Sequence, residues 1–151
     1  EAYADFAIGH FAEHNLQLQR AIFDDIYDKF GGHTWYVQCI LNRLYGYNRD
    51  VDKDMVAYAI EQIISEQSYS YESVLKNYST GHLRLLKAIA RETCVKEVLA
   101  GDFISRHKLR APSSVSSALK KLIDNELVYK TPCGYVIYDM FMGEWLRRMP
   151  F

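Results

Sequence analysis

Hydrophobic residues recur at every third or fourth position through the first half of the chain, the spacing that puts side chains on one face of an α-helix. This pattern predicts helices over residues 3–14, 18–30, from 34 onward, and from 51 or 52 onward, with a shorter helix at 71–78. Gly31-Gly32 should end the second helix, because glycine adopts left-handed backbone conformations at little cost. The first half is therefore expected to form an all-helical bundle.

The second half adds alternating hydrophobic and polar residues to its helical pattern, and this alternation is typical of β-strands. Cap residues and turns locate the elements, with Ser113 or Ser114 as the N-cap that follows Pro112. Expected in chain order are a helix around 83–90, an ambiguous segment at 93–99, a brief helix at 101–107, a helix from about 113, strands at 127–130 and 135–138, and a helix at 140–148. A helix that leads into a hairpin after two earlier helices predicts a winged helix-turn-helix.

The composition is that of an ordinary globular protein. The chain has 151 residues, of which 49% are hydrophobic and 25% charged, which suits one domain of usual size or two small ones. No segment approaches the roughly 20 apolar residues that a membrane helix needs. The chain begins Glu1-Ala2-Tyr3 without Met or a signal-peptide pattern, so we expect a piece of a larger protein or a processed form.

Charge is distributed unevenly along the chain. Residues 1–79 carry 6 Lys and Arg against 12 Asp and Glu, a net charge of −6, whereas residues 80–151 carry 12 against 7, a net charge of +5. A change of sign at one point indicates two units with different partners. We therefore predict a helical lid-like domain at 1–79 and a winged-helix domain at 80–151, mainly α with one small β-hairpin.

The three cysteines, Cys39, Cys94 and Cys133, lie far apart and form no CxxC or zinc-type spacing. An odd number of scattered cysteines is typical of reduced thiols, and we expect a cytoplasmic protein.

Few residues suggest catalysis or metal binding. His10-Phe11-Ala12-Glu13-His14 matches H-x-x-E-H, in which two histidines on one helix face hold zinc. Such a site needs a third protein ligand, and no downstream carboxylate stands in a recognisable motif, so exposed helix histidines are expected. No P-loop, GxGxxG or GxSxG motif occurs, and no base is spaced to activate the serines of 113–117. We expect neither catalytic nor metal-binding residues in this chain.

The helix that begins near residue 113 is the candidate docking element. Its inward face carries Val115, Ala118, Leu119 and Leu122, so its outward face is rich in Ser and Lys. In a DNA-binding winged helix this face enters the major groove, but the Arg, Asn and Gln that usually read bases are missing from its first turns. Contact with DNA and docking on a protein both remain open. The residues expected to bind DNA or a partner are Arg106, Lys108, Arg110, Ser114, Ser117, Lys120, Lys121 and Lys130.

Two blocks of sequence resemble a known family. Residues 23–38, Phe-Asp-Asp-Ile-Tyr-Asp-Lys-Phe-Gly-Gly-His-Thr-Trp-Tyr-Val-Gln, are similar to the lid segment of archaeal-type and bacterial AAA (STAND-like) P-loop ATPases. In that segment a helix ends at Gly-Gly and the next begins close to an aromatic residue. Residues 113–146 resemble the winged helix that follows the lid, and the order of the two blocks matches over nearly the whole chain.

This resemblance implies a regulatory and coupling region of an ATPase. Its N-terminal P-loop domain would bind ATP and Mg, the lid would close over the nucleotide, and the winged helix would relay the nucleotide state to DNA or a protein partner. Gly31 and Gly32 map onto the turn that faces the nucleotide. Many relatives have a Pro-containing turn where this chain has His33-Thr34. No arginine stands in the first turn of the helix that follows. The alternative is a free-standing winged-helix DNA-binding transcriptional regulator.

Overall fold

The computed structural model describes residues 1–150 and places eight helices and one two-stranded antiparallel sheet in them. The predicted fold class, mainly α with a small β-hairpin, is confirmed. The elements are α1 (Ala2–Ala12), α2 (Arg20–Lys29), α3 (Thr34–Gly46), α4 (Lys53–Leu75), α5 (Thr80–Glu92), α6 (Gly101–Arg106), α7 (Pro112–Asp124), β1 (Val128–Thr131), β2 (Gly134–Ile137) and α8 (Met140–Arg148).

Helix α4 is longer than the sequence pattern predicts. A break between residues 64 and 71 was expected there, but one helix runs from Lys53 to Leu75, so that prediction is wrong. The polar run Ser65-Glu66-Gln67-Ser68 contains no Gly or Pro, and polar residues that lie on a solvated face do not end a helix. The chain divides into two compact units inside this helix, Glu1–Ser65 and Glu66–Phe151. The predicted boundary after residue 79 stays a prediction.

The first unit is built around large apolar side chains from its helices. Helix α2 contacts both α1 and α3, and the side chains that it buries lie at the four-residue spacing seen in the sequence. Fully or almost fully buried in this unit are Phe11, Phe23, Ile26, Phe30, Val37, Ile40, Leu44 and Ala59. Burying one such large side chain contributes about 1.5–3 kcal/mol to the free energy of folding. The apolar faces of these helices therefore decide how the helices pack.

The Gly-Gly stop after α2 is confirmed. Gly31 and Gly32 have φ angles of +58° and +74°, in the left-handed region that favours glycine. The Gly32 N–H donates to the Tyr27 carbonyl oxygen at 2.9 Å. A Cβ on Gly32 would lie 2.9 Å from the Tyr27 hydroxyl oxygen, so a larger residue here would have to displace that side chain.

The second unit packs α7, α8 and the hairpin around α5. Helix α5 contacts all three of these elements, because its apolar residues cover a broad face. Leu86, Ile89, Leu122, Val128 and Leu146 are essentially inaccessible to solvent. This core determines the position of α7 and of the hairpin, which are the elements that carry the candidate site.

The hairpin, here called the wing (residues 128–137), pairs Val128 with Ile137 and Thr131 with Gly134 in antiparallel register. The segment at 93–99, ambiguous in the sequence, contributes a single β-bridge between Val95 and Tyr135. The wing thus has a third backbone partner outside its own two strands. An isolated two-stranded hairpin is only marginally stable in water, so this extra pairing helps to fix the wing.

Helix α7 begins earlier than predicted. Ala111 is the N-cap and Pro112 is the first helical residue, so the assignment of Ser113 or Ser114 as N-cap is wrong. Proline is accepted at the first helical position because the N–H that it lacks would have no partner within the helix. Ser113 and Ser114 consequently lie inside the first turn, and both are exposed.

Candidate functional site

The exposed face of α7 is built by the helical spacing of its apolar residues. Val115, Ala118, Leu119 and Leu122 are buried, which leaves the serines of the first two turns and two lysines facing solvent. The predicted inward face of this helix is therefore confirmed, and its role in docking stays a prediction. Ser114 and Ser117, two of the predicted site residues, both lie on the exposed face.

Both lysines of this face contact side chains of the same unit, Lys120 a carboxylate and Lys121 an aromatic ring. Lys120 Nζ lies 2.8 Å from Asp124 Oδ2 one turn later, and the hydrogen bond and charge of that carboxylate raise the pKa of the Lys120 ammonium. Lys121 Nζ lies 5.6 Å from the ring centroid of Tyr78, within the range of a cation–π interaction. The Tyr78 hydroxyl in turn accepts a hydrogen bond from Asn125 at 3.0 Å.

An open groove of about 500 Å³ separates the start of α5 from the start of α7, and its lining includes Ser79, Thr80, Gly81, Arg110, Ser113, Ser114 and Ser117. Ser79 caps α5 in a capping box. Its Oγ accepts a hydrogen bond from the His82 backbone N–H, and the Ser79 backbone N–H donates to His82 Nδ1. Three of the predicted site residues, Arg110, Ser114 and Ser117, are brought together in this groove. Its walls supply hydroxyl groups and one guanidinium.

The remaining predicted cations lie outside the groove. Lys130 is on β1 and its Nζ lies 5.5 Å from the Tyr135 ring centroid. Arg106, the last residue of α6, donates from Nε to Glu92 at 2.9 Å. Lys108 follows α6 with a φ of +51° and is exposed. The eight predicted residues thus form several small groups, and only the groove gathers more than two of them.

Glu92, which the sequence did not single out, organises the junction between α5 and α6. Its Oε1 lies 2.7 Å from His107 Nε2 and 2.9 Å from Arg106 Nε. The hydrogen bond from His107 and the charge of Arg106 hold the pKa of the Glu92 carboxyl below its ordinary value. The His107 side chain is only 9% exposed and packs on the Phe103 ring, so this cluster fixes α6 against the end of α5.

Cys94 and Cys133 form a disulfide bond, so the prediction that these thiols are reduced is wrong. The bond joins the turn of the wing to the segment after α5, with Cα atoms 6.4 Å apart and 39 residues of separation along the chain. Such a separation gives no local signal in a sequence, because pairing depends on how the fold returns. Cys39 is free.

The predicted H-x-x-E-H segment lies on α1 and just beyond it. His10 and His14 contact the Tyr45 ring, with centroid distances of 5.0 and 5.2 Å, and both are exposed. Within residues 1–150 no group of three His, Cys, Asp or Glu residues is arranged to hold a metal ion. No helix in this range is long and apolar enough to cross a membrane.

A comparison with protein families finds one whose description is "Probable winged helix domain", matched over residues 69–148. These residues make up more than half of the 151-residue chain and include α5–α8 and the wing. The chain belongs to this family. No curated protein matches the chain, and no solved structure does.

The family match begins eleven residues before the winged-helix domain predicted at 80–151. The family match begins at residue 69, inside α4, and ends at the last residue of α8. Two contacts join the last part of α4 to α8: the Tyr71 and Trp145 rings lie 5.3 Å apart, and the Trp145 indole N–H donates to Ser68 Oγ at 3.1 Å. The last part of α4 therefore packs on α8 as part of the winged helix domain.

Proposed function

We propose that this chain is a non-catalytic coupling region of an ATP-binding P-loop ATPase, and that its winged helix domain docks on a protein partner. The observation that carries the docking part is the engagement of its cations. Lys120, Lys121 and Lys130 contact Asp124, Tyr78 and Tyr135, all within the same domain.

DNA binding depends on cations that can replace the counterions of phosphates. Lys120 already has a carboxylate partner at 2.8 Å, so a phosphate would have to compete with Asp124 or bind beside its negative charge. No Arg, Asn or Gln occurs from Ser113 to Ser117 on the exposed face of α7, whereas bidentate readout of guanine and adenine uses those side chains. A face of small hydroxyl residues, on which Asp124 pairs with Lys120 and the Tyr78 ring contacts Lys121, is better suited to a protein surface.

Support for the ATPase part comes from the resemblance and from the turn after α2. The Gly31-Gly32 pair ends α2 in the left-handed conformation, and α3 begins at Thr34, which is the helix–Gly-Gly–helix arrangement that the resemblance implies. The partner of this turn would be the P-loop domain of the same protein, with its ATP and Mg. Gly31 and Gly32 would face the nucleotide through their backbone.

Reading the coding sequence upstream of Glu1 tests the ATPase part. A GxxxxGK[ST] motif supports it, and an upstream sequence without any P-loop contradicts it. With the longer protein in hand, amide hydrogen exchange with ATP and with ADP measures coupling. Protection in the turn at 31–32 and on the exposed face of α7 should change together, and independence of both segments from the nucleotide would overturn the proposal.

The second candidate, a free-standing DNA-binding regulator, is favoured by one specific observation. The groove between α5 and α7 combines Arg110 with the hydroxyl groups of Ser113, Ser114 and Ser117, which can bind a backbone phosphate. This candidate predicts duplex binding that weakens steeply as salt is raised. The coupling proposal predicts no sequence-selective duplex binding.

A further inference from the structure

We infer that the Cys94–Cys133 disulfide is a thiol-exchange site that clamps the turn of the wing to the segment after α5, and that a dithiol reductant frees this turn from that segment while the two wing strands stay packed in the folded domain. The inference concerns the wing itself, and it holds whether the partner of the domain is a protein or DNA. It rests on three features that meet within a few residues of each other.

The first feature is the backbone pairing beside the disulfide. The Val95 N–H donates to the Tyr135 carbonyl oxygen at 2.9 Å, and the Tyr135 N–H donates to the Val95 carbonyl oxygen at 2.8 Å. Both residues of this pair are close to the disulfide in the sequence: Val95 is the residue after Cys94, and Tyr135 is two residues after Cys133. The disulfide therefore adds a covalent connection beside a contact whose β-bridge hydrogen bonds come from one residue pair.

The second feature is the turn that presents Cys94. Thr93 has a φ of +66° and a ψ of −48°, and the Cys94 N–H donates to the Glu92 carbonyl oxygen at 2.7 Å. This is a γ-turn with a β-branched residue at its centre, a strained conformation that persists only when the surrounding structure imposes it. Glu92, on one side of this turn, is held by Arg106 and His107. Cys94, on the other side, is bonded to the wing through the disulfide.

The third feature is access. Cys133 lies in the exposed turn of the wing, whereas Cys94 is half-buried. A thiolate in solution can therefore approach the Cys133 sulfur most directly. Helix α5 packs on α7, α8 and β2 through residues other than the two cysteines.

The exchange balances with a dithiol as the reductant. One thiolate of the dithiol attacks Cys133 Sγ, so the Cys94–Cys133 bond breaks, Cys94 leaves as a thiolate, and a mixed disulfide forms at Cys133. The second thiol of the reductant then attacks the first reductant sulfur, which is bonded to Cys133 in the mixed disulfide, and Cys133 leaves as a thiolate. The reductant becomes a cyclic disulfide, and its two protons pass to the two cysteines of the protein.

Amide hydrogen exchange on the full chain, with and without dithiothreitol, tests the inference. Reduction should speed exchange at the Val95 and Tyr135 amides by about tenfold or more, while the core amides of Leu86 and Ile89 keep their protection. Cys133→Ser should show the fast rates at both amides in either condition. Cys39→Ser, which leaves the crosslink intact, should respond to dithiothreitol as the unmodified chain does.

Three outcomes would overturn the inference. Equal exchange rates at Val95 and Tyr135 before and after complete reduction would show that the disulfide does not clamp the wing. Loss of protection at Leu86 and Ile89 on reduction would show that the bond supports the whole domain. Mass spectrometry that finds two free thiols at these positions in protein purified without reductant would remove the site. Because the unmodified chain is itself the reduced sample, the test does not depend on the folding of a variant.

Discussion

Gly134 lies close against the backbone of Val95: a Cβ on Gly134 would overlap the Val95 carbonyl oxygen and lie 2.6 Å from its carbonyl carbon. The φ of Gly134 is +140°, which L side chains rarely adopt. The approach of Gly134 to Val95 helps to set how closely the wing lies against the segment after α5. It also explains why the turn of the wing needs glycine at this position.

Replacing Gly134 with alanine should therefore destabilise the domain. The added methyl group meets backbone atoms that cannot move aside cheaply, and the backbone conformation is itself unfavourable for alanine, so we expect a loss of about 2–4 kcal/mol. Urea denaturation of both proteins measures it. Gly101→Ala is the matched control, since an added Cβ there meets nothing within 4 Å, and its effect should be neutral or stabilising. Equal stability of Gly134→Ala and the unmodified chain would contradict the close packing.

The Glu92 cluster predicts a pH dependence. The hydrogen bond from His107 and the charge of Arg106 lower the pKa of the Glu92 carboxyl in the folded state below its ordinary value. A carboxyl group with a depressed folded-state pKa contributes stability above its unfolded pKa and loses that contribution as the pH falls through the folded value. The stability difference between the unmodified chain and Glu92→Gln should thus be largest near neutral pH and shrink below about pH 4.

Denaturation of both proteins at a series of pH values checks this dependence. Glu97→Gln, a change at an exposed carboxylate a few residues away, serves as the control and should track the unmodified chain. A stability difference for Glu92→Gln that is the same at neutral and acidic pH would rule out the ionised carboxylate as its source.

Arg147 connects α8 to the end of α5. Its Nη1 donates to the Ala90 carbonyl oxygen at 2.8 Å, and its Nη2 donates to Glu144 at 2.7 Å. Arg147→Ala leaves a carbonyl and a largely buried carboxylate with fewer partners, and we expect a loss of about 1–3 kcal/mol in thermal or urea unfolding. The adjacent Arg148 is exposed, so Arg148→Ala should change stability by less than about 0.5 kcal/mol. Equal losses from the two changes would show that Arg147 has no special position.

The sequence pattern located most elements because each of them buries an amphipathic face. The period of three to four residues was enough to place α2, α3 and α8, and alternation was enough to place the wing within one residue at each end. The pattern misses the middle of α4, because the polar residues 65–68 interrupt the apolar spacing although helices tolerate polar residues on a solvated face. The pattern also starts α7 too late, because proline is excluded from helix interiors but is accepted at the first helical position, where Pro112 lies.

The candidate site was less predictable, because its properties depend on partners that are distant in sequence. Helical spacing indicated that Lys121 is exposed, but it gave no sign that Tyr78, 43 residues earlier, lies beneath its ammonium group. The same holds for Cys94 and Cys133, whose pairing depends on the bridge between Val95 and Tyr135. The sequence predicts that Arg110, Ser114 and Ser117 are binding residues. It does not predict the groove that they line together, because the other wall of the groove comes from the start of α5.

Duplex binding tests the central claim, that the winged helix domain docks on a protein and does not read DNA. Selection of duplexes from a random pool, followed by titration at about 0.15 M salt, should enrich no sequence and give dissociation constants no tighter than about 10⁻⁶ M. Arg110→Glu should then behave like Lys76→Glu, a change at an exposed residue outside the groove. An enriched duplex bound about 10³-fold more tightly than the random pool, with that preference lost in Arg110→Glu and kept in Lys76→Glu, would contradict the account.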